Sequence, residues 1–166
     1  MTILLRSLAV AMLLATAVPS AAQAQGAEVA FGGIKADTSL PVEVTADQLR
    51  VSQTDGTATF TGNVVVMQGD MRLSADGVEV VYRGEDRTRI QRLHATGHVT
   101  LLSGKDAAEA ADAVYTIETG AVEMTGDVLL TQGTSTIAGQ KLVVDLASGT
   151  GRMEGRVTTV IQPGGN

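Results

Sequence analysis

His94 and His98, Asp47, Asp76 and Asp112, and Arg83 are the residues whose types and spacing come nearest to chemistry. Two histidines four apart share one face of a helix and can then hold a metal ion together. In a strand the same spacing sets them about 13 Å apart, whereas each metal–nitrogen bond is only about 2 Å long. The sequence around them alternates as a strand does, so no metal is expected. The aspartates recur in Ala46-Asp47, Ala75-Asp76 and Ala111-Asp112, each close to a turn. A carboxylate there ordinarily hydrogen-bonds the backbone rather than catalyses. Arg83 carries a planar fork suited to a phosphate or an acidic partner. It opens the charged stretch 83–91, where a solvated loop cation is the simpler reading. No serine stands in a nucleophile elbow and no carboxylate pair stands apart from the repeat. No Gly-x-x-x-x-Gly-Lys-Ser/Thr loop for ATP is present. The chain is therefore not expected to be an enzyme or to need a cofactor.

Composition narrows the partners. The chain has 166 residues and a net charge of −6, with its basic residues scattered. Nucleic-acid binding calls for a basic stripe and aromatic platforms; here there are two Phe, two Tyr and no Trp. Val, Leu, Ala and Met must supply the apolar surface, which makes it smooth and suited to flexible chains rather than flat rings. Nineteen glycines against three prolines suit many short strands joined by tight turns, and the lack of cysteine excludes disulfides.

What must position any site is a repeat centred on glycine. Phe60-Thr61-Gly62-Asn63-Val64, Ala95-Thr96-Gly97-His98-Val99, Met124-Thr125-Gly126-Asp127-Val128 and Met153-Glu154-Gly155-Arg156-Val157 are spaced by 35, 29 and 29 residues. Periods of this size belong to stacked architectures. Counting from each glycine, even offsets from −4 to +4 are apolar except at Gly151 and Thr159. Odd offsets from −5 to +1 are polar except at Ala121. This is the alternation of a strand with one buried and one wet face. The phase survives the glycine, so each unit reads as one long strand bent in the middle.

A second strand type lies between these units. Leu49/Val51, Val78/Val80, Val114/Thr116 and Leu142/Val144 are assigned to one phase. Gly69, Gly104 and Gly133 each fall seven residues after a repeat glycine and mark turns. Residues 106–113 are alanine-rich and favour helix by propensity, but the repeat requires a strand there. The expected fold is all-β: an open-ended antiparallel body of two facing bent sheets, built from repeated strand pairs. Its open ends expose strand edges, which invite association. The expected edges are Pro41, Val42, Glu43 and Val44 at one end, and Val157, Thr158, Thr159 and Val160 at the other.

Residues 1–24 read as a cleaved signal peptide: Arg6, an apolar run 8–18, then Ala22-Gln23-Ala24. The alternative is a retained membrane anchor. Residues 25–40 are expected to be a flexible leader, 41–162 the folded domain and 163–166 a short tail. Export of the mature chain follows.

The strings Pro41-Val42-Glu43-Val44-Thr45-Ala46-Asp47, Phe60-Thr61-Gly62-Asn63-Val64-Val65-Val66, Ala75-Asp76 and Arg156-Val157-Thr158-Thr159-Val160 resemble the OstA-like family of lipopolysaccharide-transport proteins. The resemblance covers about residues 41–162. It implies a β-jellyroll whose greasy interior holds acyl chains, with protomers joined end to end. It also implies inner-membrane-anchored and outer-membrane partners of the same fold. The chain departs from the family pattern in its short stretch after the last strand, which puts tail-mediated partner contacts in doubt. On this reading Val42, Val44, Phe60, Val64, Val66, Val78, Val80, Leu101, Tyr115, Met124 and Leu142 contact lipid. Two alternatives remain: an exported structural β-repeat protein that forms filaments without lipid, and the membrane-anchored partner of the same transport system.

Overall fold

Alternation of apolar and polar residues yields eleven strands among the described residues: β1 Ala27–Ala30, β2 Glu43–Thr45, β3 Gln48–Ser52, β4 Thr57–Gln68, β5 Met71–Arg83, β6 Arg89–Ser103, β7 Asp106–Thr116, β8 Ala121–Gln132, β9 Ser135–Asp145, β10 Thr150–Glu154 and β11 Thr158–Val160. The computed structural model describes residues 27–30, 34, 36–84 and 88–161. The expected signal peptide 1–24 and tail 163–166 lie outside the described residues. All pairings are antiparallel, in the order β1-β10-β9-β8-β7-β6-β5-β4-β2, with β3 also on β4 and β11 also on β9.

The pairings of the short strands define two half-sheets. β3 pairs with Thr57–Thr61 of β4, whereas β2 pairs with Val65–Met67. At the other end β10 pairs with Lys141–Asp145 of β9, whereas β11 pairs with Thr136–Ala138. Each long strand therefore serves one half-sheet before its bend and the other after it. The bend is a bulge at the repeat glycine. In β4, β6 and β8 the glycine has φ of 80°, 77° and 87°, and the following Asn63, His98 and Asp127 are also left-handed, at 46°, 46° and 48°. Two left-handed residues face one residue of each neighbouring strand, so the ladder breaks and the strand turns a corner. The alanine-rich stretch is strand β7, as the repeat requires. Side-chain packing has overridden helix propensity there.

The hairpins between β4 and β5, β6 and β7, and β8 and β9 each have two-residue turns with Gly69, Gly104 or Gly133 first, at φ of 56°, 59° and 56°. Glycine with positive φ in the first position is the type II′ arrangement, whose twist matches that of the strands.

The order of the second strand type differs from the sequence reading. The residue facing each bend glycine is Asp47, Asp76, Ala111 and Gln140 in turn. Ala111, not Asp112, is thus the counterpart of Asp76. This one-residue shift points Ala113 and Tyr115 inward and leaves Val114 and Thr116 half-buried on the outer face. The phase assigned to Val114/Thr116 is corrected accordingly.

The stretch 25–40, expected as a patternless leader, also differs. β1 pairs with β10 along Ala27–Ala30, Ile34 is buried, and the Ala36 N–H donates to the Leu146 carbonyl at 3.2 Å.

Candidate functional site: an apolar interior between two half-sheets

The interior is built from ladders of facing residues. One runs Leu49, Phe60, Val78, Ala95, Ala113, Met124, Leu142, Met153, from β3 to β10. Another runs Val51, Ala58, Val80, Leu93, Tyr115, Val122, Val144. In the opposite half-sheet Val44, Val66, Leu73, Leu101, Ala108, Leu130 and Ile137 form the counterpart. Every residue of the expected lipid-facing set joins the interior cluster. Val64, Val66, Val78, Val80, Leu101, Tyr115, Met124 and Leu142 are buried, and Val42, Val44 and Phe60 pack half-buried against them. The half-sheets are therefore closed on each other.

The ladders end differently. Leu49 and Val51 hold inward-facing register positions on β3, yet are 58 % and 60 % exposed because no further strand covers them. The expected edge at Glu43 and Val44 is β2, preceded by Pro41 and Val42. β3 is a second edge at this end that the sequence reading did not include. At the far end Thr158–Val160 form β11. Val157 lies just outside it and is half-buried. β1 covers β10 in the other half-sheet.

One row of inward polar side chains escaped the sequence reading. At the rim of the β2/β11 half-sheet the inward row is Gln68, Met71, Ser103, Asp106, Gln132. Gln68, Ser103 and Asp106 are buried, and Gln132 Nε2 donates to Asp106 Oδ2 at 3.0 Å. The signal was available: Gln68, Ser103 and Gln132 all stand six residues after a bend glycine, one position before the turn glycine. Tyr115 reaches across from the other half-sheet and donates to Gln68 Oε1 at 2.6 Å. Burial pushes the Tyr115 phenol above its ordinary value, partly opposed by this hydrogen bond.

The rims are bridged by the segment before β2. The Ala36 N–H is held by Leu146 in the β9–β10 turn. Thr38 Cγ2 lies against Gly120 in the β7–β8 turn, and Leu40 Cδ1 against Gly69 in the β4–β5 turn. Gln68 Nε2 donates to the carbonyls of Thr38, at 3.1 Å, and Leu40, at 2.8 Å. The segment thus crosses the mouth from one half-sheet to the other.

The residues weighed for chemistry are dispersed. His94 Nε2 pairs with Asp112 Oδ2 at 2.8 Å and His98 Nδ1 with Asp76 Oδ2 at 2.7 Å, both on the outer surface. Asp47 accepts from Asn63 Nδ2 at 2.8 Å. Arg83 Nη2 pairs with Glu118 Oε2 at 2.8 Å, both well exposed. Among the described residues no three His, Cys, Asp or Glu side chains gather as a metal site, and no helix is long and apolar enough to cross a membrane.

Fold and interior define a class: an antiparallel β-jellyroll, open at its ends, with an apolar slot and no catalytic constellation among the described residues. A sequence profile described as "LptA/(LptD N-terminal domain) LPS transport protein" matches residues 43–150. The chain is 30 % identical over 142 residues to the lipopolysaccharide export system protein LptA of Escherichia coli K12, covering 78 % of this chain and 75 % of that one. It is 28 % identical over 167 residues to the uncharacterized protein R00383 of Rhizobium meliloti, covering 95 % and 90 %. Its fold matches the crystal structure of LptH, the LptA homologue of Pseudomonas aeruginosa, with a TM-score of 0.68 at 20 % identity, over 77 % of this chain and 99 % of that one. The chain belongs to the LptA/LptD N-terminal-domain family of lipopolysaccharide-transport proteins. That is a family of transport proteins, and this chain is not an enzyme.

Proposed function

We propose that this protein is a periplasmic carrier and bridge module. It shields the acyl chains of lipopolysaccharide in its apolar slot during transfer from inner to outer membrane. The observation that carries the reading is the unbroken apolar ladder from Leu49 to Met153, uncovered at its β3 end. An acyl chain in water has an unfavourable hydration free energy of about 0.8 kcal/mol per CH₂. A smooth wall of Val, Leu, Met and Ala removes that term without specific hydrogen bonds. Because the ladder offers similar surface at each strand, a chain can slide along it with little change in energy, driven by a pump elsewhere.

The exposed edges favour end-to-end pairing, β2 and β3 of one copy meeting β1 and β11 of the next. The same edges suit inner-membrane-anchored and outer-membrane partners of the same fold. The lipid-contacting set is Val42, Val44, Phe60, Val64, Val66, Val78, Val80, Leu101, Tyr115, Met124 and Leu142.

A photo-crosslinking residue at inward Val66 and, separately, at outward Thr61 tests the proposal in cells. Lipopolysaccharide adducts at Val66 and not at Thr61 are expected. Protein–protein ladders without a lipid adduct at either position would replace the carrier reading with a lipid-free filament.

A further inference from the structure

Among the described residues, the mouth between the two rims is crossed by the protein's own chain. β1 lies beside β10 at one end and β2 beside β4 at the other. Of the chain between them, residues 36–40 lie across the mouth, from the β9–β10 turn at Ala36 to the β4–β5 turn at Leu40. Their contacts are of two kinds. Thr38 and Leu40 place apolar atoms against turn glycines on opposite rims. Their backbone carbonyls take both donors of one buried carboxamide, Gln68. An acylated glycolipid presents the same two features at the point where its chains meet its sugar: apolar carbon, and ester or amide carbonyl oxygens that only accept hydrogen bonds.

We propose that this mouth is the site where the acyl–sugar junction of the lipid seats, and that Ala36–Leu40 is an intramolecular competitor for it. Gln68 is the shared anchor. It binds strap carbonyls in the empty protein and lipid carbonyls once the strap is displaced. The inference rests on the lipid-carrier reading above and adds to it a site and a ligand chemistry. Tyr115 positions the anchor. Its hydroxyl holds Gln68 Oε1 at 2.6 Å, which fixes the amide with its nitrogen toward the mouth. The competition sets affinity as a fraction of open protein: intrinsic affinity is reduced by the fraction of molecules whose strap is off.

The test locks the strap. Thr38→Cys with Gly120→Cys places two thiols at adjacent positions in a chain with no other cysteine. Purified lipopolysaccharide is the probe, and the oxidised and reduced forms of the same molecule are compared, so the strain of Cys at Gly120 cancels. The oxidised form is expected to bind about tenfold more weakly or worse, and reduction to restore binding. Equal binding by both forms, with wild type also binding, overturns the strap and leaves the carrier reading intact. Failure of wild type itself to bind overturns the carrier reading and the strap with it. Failure of the disulfide to form under oxidation overturns the placement of the strap. A second measurement needs no variant. In wild type the Ala36 amide, held by Leu146, is expected to lose hydrogen-exchange protection when lipopolysaccharide is added, while β7 and β8 gain it. Unchanged protection at Ala36 with lipid bound overturns the proposal.

Discussion

The Tyr115 hydroxyl donates to Gln68 Oε1 at 2.6 Å, from one half-sheet to the other. The two residues belong to opposite half-sheets, so this bond is a polar cross-tie between the two walls. Removing one partner leaves the other buried and unpaired, at a cost of about 1–3 kcal/mol. Tyr115→Phe is therefore expected to lower the urea midpoint by an amount corresponding to that loss, with the m-value unchanged. A midpoint equal to wild type would show the tie to be energetically idle.

The same tyrosine sets a response to base. Burial raises its folded-state value above the ordinary one, so the folded protein keeps the phenol protonated where the unfolded chain has ionised. The stability associated with Tyr115 is complete below about pH 10, the ordinary tyrosine value, and is lost as pH climbs through the raised folded value. Ultraviolet titration is expected to show a phenolate appearing above the ordinary range. Tyr115→Phe should abolish that component and leave the rest of the curve unchanged.

The two kinds of turning glycine separate strain from crowding. Gly62 has φ of 80°, and a Cβ there would lie 2.6 Å from Asp47 Oδ2 and 3.1 Å from its Cβ. Gly133 has φ of 56° with nothing within 4 Å of the same atom. Gly133→Ala therefore meets only the left-handed penalty, about 1–2 kcal/mol. Gly62→Ala meets that penalty and a clash with the Asp47 side chain, so a loss of about 2–4 kcal/mol is expected. Chemical denaturation of the two variants, side by side, checks the order; equal losses would mean that the bend carries no crowding.

Much of this was legible in the sequence, and the exceptions have physical causes. Inward and outward faces of β4, β6 and β8 followed from alternation because the bend there inserts an even number of positions, so Phe60 and Val64 keep one phase. In β5, β7 and β9 the bend inserts an odd number, and the inward row jumps from Ala75 to Val78. Val78 was placed correctly because it stands beyond that jump. Val114 was misplaced because Ala111-Asp112 looks like Ala75-Asp76 while sitting one position later in register. The rim row escaped because buried polar residues violate the pattern that reveals the rest. Gln68 satisfies its amide with carbonyls 28 and 30 residues away, a pairing no local spacing announces. The strap escaped for the same reason: its order comes from glycines and a carboxamide on distant turns, not from its own periodicity.

Acid should act on two turns. Asp145 accepts from the backbone N–H groups of Ala147 and Ser148, each at 2.9 Å, and the Ser148 bond is the larger cause holding its carboxyl below the ordinary value. Asp37, in the strap, is lowered by the side-chain and backbone donors of Ser39. The folded protein keeps both charged where the unfolded chain has begun to bind protons. Their contribution is complete above the ordinary aspartate value, about 3.9, and is lost as pH falls through the lowered folded values. Amide exchange at Ser39, Ala147 and Ser148 is expected to accelerate, relative to the strand amides, as pH drops below that point. Asp145→Asn should remove the effect at the second turn only.

The uncovered end of the interior predicts its own behaviour in solution. Leu49 and Val51 hold the apolar ladder open at β3, beside the unpaired edge of a strand. Such an edge pairs readily with another chain, and here pairing would also bury the two side chains, each worth about 1.5–3 kcal/mol when fully covered. Their replacement by lysine keeps the strand but places charge where the next copy would close the ladder. On the end-to-end pairing proposed above, wild type is expected to gain apparent mass in light scattering as concentration rises, and Leu49→Lys with Val51→Lys to stay at the mass of a monomer. Its thermal stability should change little, since neither residue is buried within one copy. If the double variant still assembles as wild type does, end-to-end contact does not run through β3, and the β2 edge at Glu43–Thr45 is left to carry it alone.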